Sequence, residues 1–71
     1  MSDQDEAATT EFTSRIGKTA ARELRLNGYT RYDQLTRVTP RQLLRIHGVG
    51  PKAIRILDEE LAMRDLSFAG D

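Results

Sequence analysis

Beyond Arg15, apolar residues recur three and four positions apart, and no segment alternates with the period of a strand. Ala20, Ala21 and Leu24 fall on one side of a helix predicted from about Gly17 to Asn27. Gly28 is placed to end that helix as a left-handed cap. Thr30 and Asp33 signal the next N-cap and open a short helix to about Arg37. A stronger start follows at Thr39-Pro40-Arg41-Gln42: the threonine can cap, the proline fits the first turn, and the glutamine sits where a capping box places it. That helix carries Leu43, Leu44 and Ile46 inward. The last helix, from about Pro51 to Met63 or Arg64, offers Ile54, Leu57 and Leu61 as a buried stripe, and Leu66 and Phe68 are expected to fold back over the core. The expected class is therefore all-α, a compact bundle of four to five short helices.

Residues 1–11 are polar and acidic with no apolar periodicity, which reads as a disordered tail before a single domain over 12–71. A chain of 71 residues has room for one small core and no separate substrate domain. Without cysteine there is no disulfide framework, thiolate nucleophile or zinc-thiolate site. No apolar run is long enough to span a membrane and the N-terminus lacks the layout of a secretion signal, so a cytoplasmic setting with no membrane partner is expected.

The formal net charge is zero, but it is unevenly spread. Residues 1–11 hold Asp3, Asp5, Glu6 and Glu11 and no base. Residues 12–57 hold Arg15, Lys18, Arg22, Arg25, Arg31, Arg37, Arg41, Arg45, Lys52 and Arg55 against Glu23 and Asp33, a net +8. Residues 58–71 set Arg64 against five carboxylates, so each flank carries −4. A basic body between acidic flanks is the footprint of a phosphate-backbone binder.

The segment from Leu43 to Ile54 runs an apolar helical face into Gly48-Val49-Gly50 and starts a second helix at once. Gly48 and Gly50 permit backbone conformations that side chains resist and let another molecule approach the main chain. Gly50 can serve as N-cap and Pro51 as the first helical residue. Unpaired N–H groups, the positive end of the helix dipole and the Lys52 ammonium then face one spot, which attracts phosphate. A similar pattern occurs 33 residues earlier: Ile16-Gly17-Lys18-Thr19-Ala20-Ala21-Arg22-Glu23-Leu24 matches Val49-Gly50-Pro51-Lys52-Ala53-Ile54-Arg55-Ile56-Leu57 as apolar, Gly, x, x, Ala, apolar, Arg, x, Leu. The candidate DNA-binding residues are Gly48, Val49, Gly50, Lys52 and Arg55 at the hairpin, with Gly17, Lys18, Thr19 and Arg22 at the earlier helix start.

The set Leu43, Ile46, Gly48, Val49, Gly50, Lys52, Ala53 and Leu57 resembles the helix-hairpin-helix motif, in which a Gly-hydrophobic-Gly turn and a following lysine hold one strand of a DNA backbone. From about Ile16 to Phe68 the chain also resembles the C-terminal domain of the bacterial RNA polymerase α subunit, through Leu24, Leu35, Leu43-Leu44, Gly50, Lys52 and the closing run Leu61-Ala62-x-Arg64-x-Leu66-Ser67-Phe68. The resemblance implies a SAM-like or tandem helix-hairpin-helix-like fold in a bacterial protein, with backbone contacts at Gly50 and Lys52 and at the start of the first long helix. It also implies a DNA-acting enzyme or transcription protein as a possible associate, and allows a monovalent cation on the carbonyls of the turn around His47 to Val49. One departure stands out: the family's main DNA-contacting arginine aligns with Thr19, so promoter-element recognition does not carry over.

Other residues have plainer readings. His47 has no partner at a metal-ligand spacing and reads as a helix C-terminal residue. Tyr29 and Tyr32 read as core and rim packing before base stacking. Asp58-Glu59-Glu60 reads as a solvated face, because successive helical residues point apart. No nucleophile, base and orienting group can be assembled, and no cofactor, metal or small-molecule substrate is implied. The expected function is non-enzymatic, largely sequence-independent binding of duplex DNA through phosphates at glycine-led helix starts. The alternative is a protein-interaction module that keeps the fold without binding DNA.

Overall fold

The computed structural model describes residues 10–70. Among the described residues the chain forms a 3-10 turn at Ser14–Ile16 and four α-helices, α1 (Lys18–Leu26), α2 (Tyr32–Leu35), α3 (Pro40–Leu44) and α4 (Pro51–Met63), with no strand. The all-α expectation holds. Leu24, Leu35, Leu43, Leu57 and Leu61 are the largest fully buried side chains, so every helix contributes to one core. The 3-10 turn packs against both α1 and α4, and α3 packs against α4.

Local chemistry sets most of the helix ends. Gly28 (φ +92°) closes α1 in a Schellman arrangement: its N–H donates to Arg25 O at 3.0 Å and the Tyr29 N–H donates to Leu24 O at 2.9 Å. At α3 the capping box is complete, because Thr39 Oγ1 accepts the Gln42 N–H at 3.2 Å and Gln42 Oε1 accepts the Thr39 N–H at 2.9 Å. Neither Thr30 nor Asp33 caps α2. Its N-cap is Arg31, and Gln34 Oε1 takes the N–H groups of Thr30 and Arg31 at 2.7 and 2.9 Å. The helix stops at Leu35 rather than Arg37. Leu44, the last residue of α3, is exposed while Leu43 stays buried, because successive helical residues point apart. Leu66 and Phe68 do pack against the core, and the Ala69 N–H donates to Val38 O at 2.9 Å.

The segment before α1 is part of the fold from Glu11 onward. The Glu11 N–H donates to Thr30 O at 2.8 Å, and Glu11 Oε1 accepts the Tyr32 N–H at 3.0 Å. These hydrogen bonds put Glu11 inside the domain and not in the acidic tail that composition suggests, and residues 1–9 of that tail lie outside the described residues. Phe12 then buries its ring edge-on to Tyr32, 5.1 Å between centroids, and the Thr13 N–H donates to the Tyr32 hydroxyl at 2.9 Å.

Across α4 this strap meets Glu60, which is 9% exposed and not part of a solvated face. Arg64 donates to Glu60 Oε1 at 3.0 Å, Arg15 approaches Oε2 at 3.6 Å, and the Arg64 guanidinium lies 4.1 Å from the Tyr32 ring centroid. Asp58 and Glu59 remain exposed, as expected.

Candidate nucleic-acid interface

The two glycine-led helix starts share a burial register. Ile16 and Val49, Ala20 and Ala53, and Leu24 and Leu57 are all buried, each pair 33 residues apart. Ala21 and Ile54 are both half-buried, and Arg22 and Arg55 are both exposed. The matched segments thus present the same face of a helix to the core and the same face to solvent. Their glycines are both N-caps, yet Gly17 has φ +92° and Gly50 φ −108°. The elements before them also differ, a 3-10 turn in one case and the α3–α4 turn in the other.

Neither glycine supplies a side-chain cap, and neither α1 nor α4 has an acidic residue in its first turn. Both helix starts therefore keep donor groups and a positive dipole end without a neutralising carboxylate of their own. Lys18 and Arg22 are four residues apart on α1, and Lys52 and Arg55 three apart on α4, so each pair shares a helix face. All four are exposed and form no ion pair among the described residues. Arg15 and Arg64 are instead committed to carboxylates of α4.

Gly48 joins the two segments. Its φ is +95°, and a Cβ built on it would stand 2.9 Å from Thr19 Cγ2 and 3.0 Å from Glu23 Cγ. The α3–α4 turn thus lies directly against the first turns of α1, which only a residue without a side chain allows. Thr19 is exposed and adjoins the turn through its methyl group.

Three sequence expectations at the turn need correction. Val49 is a core residue, 4% exposed, and its N–H donates to Ile46 O at 3.1 Å, so it anchors the turn and offers neither side chain nor amide to a ligand. Gly50 has extended backbone that any residue adopts, with no atom within 4 Å of a Cβ built there; its glycine is not demanded by conformation. His47 lies in the turn itself, beyond the Arg45 C-cap of α3, and is exposed.

Glu23 is the residue sequence reasoning passed over. One turn along from Thr19, it packs its Cβ and Cγ methylenes against the same glycine turn. Its four-residue spacing from Thr19 was visible in the chain, but the nearness of Gly48 depends on how α1 packs. Among the described residues there is no group of three or more potential metal-ligating side chains and no helix long and apolar enough to cross a membrane. No protein-family model matches this chain, and no curated protein or solved structure matches it.

Proposed function

We propose that this chain is a non-enzymatic module that binds duplex DNA through its phosphate backbone, with α3, the glycine turn and α4 acting as a helix-hairpin-helix and the start of α1 as a second contact. The observation that carries this reading is the seating of Gly48 against Thr19, which sets two uncapped helix starts of the basic body beside one glycine turn. Lys18, Arg22, Lys52 and Arg55 supply the cations, and because they contact phosphates rather than base edges, binding is largely independent of sequence. The similarity to the polymerase α-subunit domain favours the same reading, although Thr19 in place of its arginine predicts weaker binding.

A protein-interaction module is the second reading. The acidic Glu23, packed on the turn through its methylenes, and the exposed Leu26, Leu44 and Met63 favour it. Titrating labelled duplex and single-stranded DNA at low and moderate salt separates the two. Duplex binding that weakens steeply with salt, is cut strongly by Lys52→Glu, and loses roughly one to two units of salt slope in Lys18→Ala with Arg22→Ala supports the DNA reading. Binding unchanged by Lys52→Glu, or absent at low salt, would remove it.

A further inference from the structure

At the end of α1 away from Lys18, a cleft of about 460 Å³ opens between the Gly28 turn and the end of α2. It is lined by Tyr29, Arg31, Asp33, Gln34, Thr36 and Arg37, among others. No residue of the turn around Gly48 lines it, and its lining begins at Gly28, beyond the end of α1. Its volume falls in the range of small-ligand sites, about 300–1,000 Å³.

The lining is built for an anion. It includes two arginines, Arg31 and Arg37, and a single acidic residue, Asp33. That carboxylate meets Arg31 at Nε, 3.4 Å away, which leaves the terminal nitrogens of the fork without a partner among the described residues. Arg37 forms no ion pair among the described residues. A guanidinium fork matches the spacing of phosphate oxygens and donates two parallel hydrogen bonds to them. The half-buried Tyr29 adds a flat ring and a hydroxyl, and the amide nitrogen of Gln34 is uncommitted while its oxygen holds the α2 N-terminus.

We propose that this cleft is a second anion site that takes the phosphate of a nucleotide between Arg31 and Arg37, with the nucleoside against Tyr29. The nucleotide is either free or part of a nucleic-acid strand, since both present the same phosphate and ring chemistry. The site operates independently of Lys52 and of duplex binding.

The test is an amide chemical-shift titration of the full chain with adenosine monophosphate, inorganic phosphate and a short single-stranded oligonucleotide. Adenosine monophosphate should move the amides of residues 28–38 and leave those of 48–53 in place. Arg31→Ala and Arg37→Ala should each weaken that binding by about tenfold with unchanged circular dichroism, and Lys52→Glu should not affect it. Tighter cleft binding by the oligonucleotide than by the mononucleotide would support the site with a strand as its source, and the reverse would support it with the free nucleotide. Inorganic phosphate binding as tightly as the mononucleotide would overturn the nucleotide assignment. Silent cleft amides at millimolar ligand, or shifts that persist in both arginine variants, would overturn the site itself.

Discussion

At Gly48 the backbone has φ +95° and a Cβ would collide with Thr19 Cγ2, whereas two residues on, at Gly50, the backbone is extended and open space surrounds the missing side chain. The two glycines of one motif therefore respond differently to alanine. Gly48→Ala adds backbone strain and overpacking and should cost on the order of 2 kcal/mol or more, read as a drop in urea midpoint. Gly50→Ala should leave that midpoint nearly in place, and any loss of DNA affinity it causes reports on approach to the backbone, not on folding. Equal destabilisation by the two would contradict the geometry. Glu23 gives a second test at this scale. With its Cγ beside Gly48, its charge opposes a phosphate held by the turn. Glu23→Gln should tighten duplex binding severalfold at low salt, with the gain shrinking as salt rises; a weaker complex would mean that the carboxylate instead orients a group the DNA needs.

Among the elements, those governed by local rules were legible from the chain and those governed by tertiary partners were not. Thr39 and Gln42 cap α3 because their side chains reach each other's backbone within one turn, and Gly28 ends α1 because only a left-handed residue closes that hydrogen-bond pair. The α4 start at Gly50-Pro51 is equally local. By contrast, nothing near Glu11 or Glu60 in sequence announces Thr30, Tyr32 or Arg15 as partners, so the strap over α4 and the burial of Glu60 came only with the fold. At the candidate site the cations and glycines were readable, while the inward turn of Val49 and the contact with Glu23 required α1 to be docked.

That strap makes an element-scale prediction about pH. Burial raises the Tyr32 hydroxyl above its ordinary 10.0, a shift that the donated Thr13 N–H opposes. The folded chain thus holds a proton that the unfolded chain releases, so this tyrosine's contribution is intact below about pH 10 and is lost as pH rises toward the elevated folded value. Tyr32→Phe should be less stable at neutral pH, because the Thr13 N–H loses its acceptor, but should lose less further stability between about pH 9 and about pH 11 than the parent. Parallel alkaline losses in denaturant titrations would show that other groups govern that limb.

Over the whole chain the zero net charge is the sum of a basic body and two acidic flanks, and its consequence is a competition that salt can tune. Most of the basic residues of 12–57 face solvent, spread over α1, α3 and α4 and the turns beside them, while Asp3, Asp5 and Glu6 are covalently tied to the same body with no base among them. Glu11 is held by Thr30 and Tyr32, so removing 1–9 takes away a charge of −3 and deletes neither partner of those hydrogen bonds. The shortened protein has a more positive field at every point of approach and should bind duplex DNA more tightly at low salt. The advantage should fade once the screening length falls to about 8 Å near physiological ionic strength. Affinity measured for both forms across a salt series decides the matter: converging lines are the expected result. A shortened form that binds more weakly would mean that residues 1–9 contribute to the complex, and parallel lines would mean that their effect is not electrostatic.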